Sequence, residues 1–299
     1  MAGRPSSPIP PSVLALFGPT ASGKTGVAAA VTRRLPAELV SADAMQVYEG
    51  LPILTNQGPG RLVAIWPLDH EASVGEYQRL AHAAIDEILA AGRLSIVVGG
   101  TGLYLRAALA ELALPPAPQP GTRARWERFY DKRGAADAHA ELARRDERAA
   151  AAVHANDRRR VVRALELTDA GSSLRPLVDR LWQESTRHPS LVVGLDVPPA
   201  VLERRIRART EAMFERGVED EVRRVLERPL STTAAKVIGL HEVAELPREE
   251  AVDRIVVRTR RYAAYQRKWM RRIPGIVMLD GDRPADEVAD AILEVARAR

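Results

Sequence analysis

The sequence predicts an α/β protein in which a parallel sheet flanked by helices is interrupted by an all-helical insertion domain. Three observations predict it. The first hundred residues alternate strand-like apolar runs with helix-like segments. The proline-dense stretch LPPAPQPG, residues 114–121, then breaks that alternation. A strand-like run returns at 191–197 only after a long interval that has none. The expected organisation is a flexible Pro- and Ser-rich tail over 1–12, a core of 13–118 and 189–299, and a helical insertion of 119–188.

Each element has its own warrant. Val13–Phe17, VLALF, is a short apolar run of strand length, and it leads through GPTASGKT into a helical segment from Thr25 to Arg34. Glu38–Ser41 and Leu94–Val98 are the next strands. Between them Val74 to Ala91 is helical and stops at Gly92. After Val98 comes GGTG and a helical run from Leu103 to Leu112. Residues 122 to about 187 are charged and Ala-rich, and read as helices only. Leu191–Val197 resumes the sheet, followed by a Pro-initiated helix from Ala200. The last strong pattern, Val252 to Met270, sets Val252, Ile255, Val256, Tyr262, Ala263, Trp269 and Met270 on one helix face.

Composition narrows the functional classes. Apolar residues are 46% and charged residues 28% of 299, as in a soluble globular protein. No run reaches the roughly 18 apolar residues of a membrane span. Cysteine is absent, which removes disulfides, thiolate catalysis and cysteine-ligated zinc, and a cytoplasmic protein is expected. The six histidines show no metal-ligand spacing. Net charge is +5, but between Ala251 and Gly275 eight Arg or Lys face Asp253 alone. Arg254, Arg258, Arg261, Tyr265, Lys268 and Arg272 form one stripe there. A solvated charged face would look similar, yet a single sign of charge with an interleaved tyrosine equally suits nucleic acid.

The chemistry begins at GPTASGKT, 18–25, which has the spacing G-x-x-x-x-G-K-[ST] between a strand and a helix. Gly18 and Gly23 let backbone N–H groups turn inward around a diphosphate, with Thr20, Ala21 and Ser22 in the same loop. Lys24 neutralises the charge, and the Thr25 hydroxyl is placed to ligate Mg²⁺. The core is thus P-loop NTPase-like. Asp43, in VSADAMQVY, follows the end of a strand, where ligand sites of open α/β sheets form. It could equally cap a helix or face magnesium. Gln46 offers an amide able to read an adenine edge. Thr101, in VGGTGLY, brings a hydroxyl to the same rim, and Arg209 could reach back to a phosphate or pair with Glu215.

Six segments in order resemble the tRNA dimethylallyltransferase (tRNA isopentenyltransferase) family: GPTASGKT, SADAMQVY at 41–48, VGGTGLYLRA at 98–107, HANDRRRVVRALEL at 154–167, RTEAMFERGVEDEV at 209–222 and TRRYAAYQRKW at 259–269. The resemblance implies that the loop holds dimethylallyl diphosphate and not ATP. It further implies that the acceptor is the exocyclic N6 amine of the adenosine 3′ of the anticodon, in tRNAs reading codons that begin with U. Asp43 matches the general base; Lys24, Thr25 with Mg²⁺, Thr101 and Arg209 match the groups that hold the diphosphate. The base is expected to flip into a channel between core and insertion, recognised around Asp43, Ala44, Met45, Gln46 and Thr101. Arg159, Arg160 and Arg163 match the segment that contacts the anticodon loop. Charge alone adds Arg258, Arg261 and Lys268 for tRNA, and the family reading suggests a monomer. The chain departs from the family pattern at Ala44, at Leu240-His241, at Ala264-Tyr265 and in a shortened 49–75 segment. A kinase of a small metabolite, a prenyltransferase of free adenine nucleotides and a non-enzymatic RNA-binding protein are the alternatives. The first leaves GGTGLY and 154–167 unexplained.

Overall fold

Short, fully apolar runs make the central strands because both of their faces are covered. In the computed structural model, which describes residues 11–112, 114, 119, 121–175, 181 and 183–298, all five residues of β1 (Val13–Phe17) are buried. The tail expected over 1–12 falls almost wholly outside the described residues. β1 is followed by α1 (Lys24–Thr32), β2 (Ala37–Ser41), α2 (Val74–Ala90), β3 (Leu94–Gly99) and α3 (Gly102–Leu109). The helical segment contributes α4 (Thr122–Arg133), α5 (Ala135–Arg145), α6 (Glu147–Ala152) and α7 (Arg158–Asp169). The chain then runs through β4 (Ser190–Asp196), α8 (Pro199–Glu215), α9 (Val218–Leu226), α10 (Leu240–Glu245), α11 (Arg248–Met270), β5 (Val277–Asp280) and α12 (Ala285–Arg297).

The sheet is parallel throughout, in the order β2-β3-β1-β4-β5. Leu14 lies opposite Ile96 of β3 and Leu191 of β4. One face packs on α1 and α12, where Val27, Val31, Val288 and Ile292 meet Leu16, Ile96, Val193 and Leu195. The connection from β1 runs to β2 on one side of the sheet and the connection from β3 runs to β4 on the other, so a crevice opens between the carboxyl ends of β1 and β3. The P-loop lies at that end. Gly99 finishes β3 there because a Cβ would sit 2.1 Å from the Ala42 carbonyl oxygen.

The described residues fall into two compact units, Met1–Glu111 with Glu184–Arg299, and Leu112–Gln183. The second starts at Leu112, where the sequence suggests 119, and it ends a few residues before the expected 188, because hydrogen bonds fasten the returning segment to the core. Arg187 N donates to the Leu109 carbonyl, the Arg187 and His188 side chains hold Asp86, and the Pro189 carbonyl accepts from Ser12 and Val13. Unit two has its own core, with Trp126, Leu142, Val153, Val161 and Leu165 at its centre. Trp126 Nε1 donates to Asp169 at 2.6 Å, and His139 bonds the Ala150 and Val153 carbonyls, a packing role for that histidine.

β5 and α12 lie beyond the elements the sequence picks out. β5 is a four-residue edge strand with every second residue exposed, too short and too mixed to register as an apolar run.

Candidate active site

The loop 18–25 closes on itself before it meets any ligand. Ser22 N donates to the Pro19 carbonyl, Ala21 takes the left-handed region at φ 62°, and Gly23 does so at φ 89° where α1 begins. No side chain caps α1, so the amides of its first turn face the crevice with the positive end of the helix behind them. Lys24 Nζ lies 2.8 Å from the Gly18 carbonyl oxygen and 2.7 Å from that of Pro19. Burial pulls its pKa down to about 8, against the opposing pull of Asp43 and with help from Arg209.

Arg209 comes from α8, and its Nη1 donates to Thr20 Oγ1 at 3.1 Å. The alternative partner, Glu215, is taken by Arg248 instead. Burial lowers the Arg209 pKa, while Asp43 raises it. Two cations with disfavoured charged forms therefore stand around one carboxylate, an arrangement that gains from a bound polyanion. Asp43 sits in the turn after β2, where its Oδ1 accepts from Met45 N at 2.9 Å. Thr101 Oγ1 accepts from Ala44 N at 3.3 Å and lies 3.4 Å from the Tyr262 hydroxyl, so it ties that turn to α11. The Tyr262 phenol is pushed up to about 12, chiefly by burial and then by Asp43.

A cavity of about 350 Å³ is lined by residues 20–26 with Asp43, Gln46, Thr55, Asn56, Arg205, Arg209, Tyr262 and Gln266 among others; Thr101 stands behind this wall and reaches it through Ala44 and Tyr262. A second cavity of about 200 Å³ adjoins it through Thr20, Asp43, Thr55, Arg209 and Tyr262, which line both. Its remaining wall is mostly aliphatic: Met45, Leu54, Ile206, Met213, Val237, Ile238 and Ile255, with Lys236 beside them.

The structure thus brings together Gly18 to Thr25, Asp43 to Gln46, Thr101 and Arg209. The Gln46 amide, read from the sequence as able to meet an adenine edge, is already engaged within the protein. Oε1 accepts from Ser41 Oγ, and Nε2 donates to the Thr55 and Asn56 carbonyls at 3.2 and 2.9 Å. Any base that Gln46 reads must share or exchange these bonds. In unit two, Arg159 and Arg160 stand exposed in the first turn of α7, which Asp157 caps, and Arg163 bonds Glu166 at 3.2 Å. On α11 the basic stripe is partly neutralised, by one acid of α10 and one of α11 itself. Arg258 pairs with Glu242 and Arg254 with Glu250. Arg261 and Lys268 are exposed and have no ion pair among the described residues.

Sequence reasoning passed over Gln266, which is 2% exposed. Its Oε1 accepts from Thr20 N at 2.8 Å and its Nε2 donates to the Gly100 carbonyl at 2.9 Å, clamping the P-loop to the GGTG loop. The available signal was a polar residue on the otherwise apolar face of α11. Apart from Met45, which lies in SADAMQVY, the aliphatic wall gave no signal. Among the described residues no group of three or more His, Cys, Asp or Glu could hold a metal ion, and no helix is long and apolar enough to cross a membrane.

Fold and site define an α/β protein with a five-stranded parallel sheet, in which the cavity around the 18–25 loop opens, past one carboxylate, onto an apolar chamber. More particularly, the chain belongs to the IPP transferase family, whose model matches residues 46–273. It is 39% identical over 293 residues to a tRNA dimethylallyltransferase of Thermobifida fusca, covering 91% of each chain. A tRNA dimethylallyltransferase of Salinispora arenicola is 39% identical over 302 residues, covering 96% of this chain and 87% of its own. Among solved structures, the full-length tRNA isopentenylpyrophosphate transferase of Bacillus halodurans is similar with 31% identity and a TM-score of 0.67, over 96% of this chain and 97% of that one. A eukaryotic dimethylallyltransferase acting on tRNA is similar with 25% identity and a TM-score of 0.79, over 94% and 78%.

Proposed function

We propose that this protein transfers the dimethylallyl group of dimethylallyl diphosphate to the exocyclic N6 amine of the adenosine 3′ of the anticodon, in tRNAs reading codons that begin with U, and releases pyrophosphate. The observation that carries this reading is the pairing of cavities. A nucleoside triphosphate would place a polar ribose beside its phosphates. Here the space beside the phosphate cradle is walled by methionine, leucine, isoleucine and valine, which suits a five-carbon apolar chain.

The amine nitrogen forms a bond to the allylic carbon as the bond from that carbon to the diphosphate oxygen breaks. The proton lost by the amine passes to the Asp43 carboxylate, which stands at the junction of the two cavities. Lys24, Arg209 and the first amides of α1 take up the charge growing on the diphosphate, and they do so from fixed positions. Thr101 holds the Asp43–Gln46 turn through its bond from Ala44 N. The Thr25 hydroxyl, exposed at the start of α1 and lining the cradle, fits Mg²⁺ as one protein ligand. Mg²⁺ otherwise favours phosphate oxygens and water, so the lack of an acidic cluster beside Thr25 suits that donor set, and the ion would neutralise diphosphate charge. The exposed arginines of α7 and α11 suit the tRNA backbone, the cysteine-free composition suits the cytoplasm, and a monomer follows from the family reading.

The test is prenyl transfer from labelled dimethylallyl diphosphate with Mg²⁺, offering unmodified tRNA, AMP, ADP and ATP, alongside an Asp43→Ala variant. Label entering tRNA, and lost in the variant by about 10²–10⁴-fold as for other general bases, is the expected result. Label entering only free nucleotides, or transfer undiminished in the variant, overturns the reading.

A further inference from the structure

Glu221 is a buried carboxylate that the mechanism above does not use. It lies in the first turn of α9, where Glu219 and Asp220 face solvent but Glu221 is 2% exposed. Among the described residues it makes no ion pair. A carboxylate removed from water in this way is costly unless strong donors meet it. Two do: Leu54 N donates to Oε1 and Ile53 N to Oε2, each at 2.8 Å. Burial nevertheless raises its pKa, and the two amide bonds only partly offset that.

The segment it grips explains the arrangement. Residues 51–57 form a single isolated turn, with Thr55 N bonded to the Leu51 carbonyl, Asn56 N to that of Ile53 and Gln57 N to that of Pro52. Such a turn has orphan donors at its start and orphan carbonyls at its end, as any helix does. Pro52 has no N–H to satisfy, which leaves Ile53 and Leu54. Glu221 caps these from outside the turn, the work an N-cap side chain does from within a helix. At the other end the Thr55 and Asn56 carbonyls accept from Gln46 Nε2. The turn is therefore pinned at both ends by distant side chains, and what it carries reaches the site. Leu54 and Thr55 line the apolar cavity, while Thr55 and Asn56 line the phosphate cradle.

We infer that Glu221 is a positioning residue for the transfer reaction, holding the 51–57 turn so that Leu54, Thr55 and Asn56 close both cavities and Gln46 is kept in place beside Asp43. The inference rests on the prenyl-transfer reading of the site. Glu221→Gln conserves size and removes the second acceptor, setting an amide NH₂ against a backbone N–H. The turn then loses one of its two anchors.

The experiment compares steady-state transfer to tRNA by the wild type and Glu221→Gln, at a temperature where melting shows both to be folded, together with amide hydrogen exchange. The expected result is a loss of about tenfold or more in kcat/KM, including a raised KM for dimethylallyl diphosphate, in line with what sub-ångström to ångström misplacement costs. Faster exchange should be confined to residues 51–57, with β1 and β3 as protected as before. A kcat/KM within twofold of wild type overturns the inference. So does a loss that disappears on cooling in step with recovered stability, which would make Glu221 a stabilising residue only. If Glu221→Gln does not fold, Glu221→Asp, which keeps the charge and withdraws it by one methylene, is held to the same criteria. Failure of the wild type itself to prenylate tRNA would instead strike the functional reading, so the two failures are distinct.

Discussion

The phosphate cradle takes much of its wall from seven consecutive residues, Thr20–Gly26, whereas the apolar cavity beside it draws on six separate segments between Thr20 and Tyr262. The cradle works through backbone amides, a helix end and two cations whose burial is already costly. The chamber works through shape and the exclusion of water. Damage to the first should therefore appear in the rate of leaving-group departure, and damage to the second in the choice of prenyl donor.

The strongest way to break this division is at Arg209. Arg209→Ala should lower kcat by about 10²–10³-fold, the usual cost of removing one preorganised charge from a developing anion. Arg209→Lys should recover only part of it, because an ammonium does not reproduce the planar fork that meets both Thr20 and a phosphate. If steady-state kinetics show only KM rising in Arg209→Ala, the residue binds diphosphate uniformly and does not act on the transition state.

The chamber gives the next largest effect. Met213 is 4% exposed and forms part of the aliphatic wall. Met213→Ala should let a ten-carbon allylic diphosphate compete, shifting the ratio of kcat/KM values for C10 over C5 donors by about tenfold or more, the range a few methylenes are worth in such a pocket. An unchanged ratio would move the prenyl chain elsewhere.

How legible each region was in sequence follows from how it is built. GPTASGKT declares itself because the backbone needs glycine and lysine at fixed spacing, and α1 and β1 start and stop within two residues of the expected places. Asp43 and Thr101 were visible because they follow strand ends. Leu54, Ile206, Met213, Val237, Ile238 and Ile255 were not, since an aliphatic residue beside a ligand reads like one in the core; Met45 was reached only through its place in SADAMQVY. Glu221 was hidden for the opposite reason: it stands among exposed acids at the start of a charged helix, and its burial depends on what packs against it. Gln266 left one mark, a polar residue at an apolar position of α11, which does not say what it holds. The stripe on α11 was legible as charge, but Glu242 of α10, the acid that holds Arg258, comes from elsewhere in the chain.

Lys24 sharpens the comparison by pH. Its pKa lies at about 8 in the fold instead of 10.5, so between those values the unfolded chain binds the extra proton. Stability must then rise as pH rises through that window, by up to about 3 kcal/mol in all. Diphosphate affinity must fall over the same window, by up to about tenfold at pH 9, because the ammonium is the form that attracts it. Differences between wild type and Lys24→Met in melting temperature and in pyrophosphate binding should thus run in opposite directions with pH. Parallel trends would mean that Lys24 is not the group responsible.

The smallest effect belongs to α11. Arg261 is exposed, carries no ion pair among the described residues and lies one position before Tyr262 of the site wall, so its charge is available to a polyanion. Arg258, two turns' spacing from Tyr265 along the same helix, is already held by Glu242. Neutralising Arg261 should weaken tRNA binding a few-fold and reduce the slope of log affinity against log salt by about one. The same change at Arg258 should alter the salt slope less, because that guanidinium is already held by Glu242; the carboxylate freed by its loss weakens binding, and Glu242→Gln should restore it. Titrating tRNA at several salt concentrations against Arg261→Ala, Arg258→Ala and Arg258→Ala with Glu242→Gln separates the cases. Equal slopes for wild type and Arg261→Ala would remove this face of α11 from the tRNA contact and leave α7 to supply it.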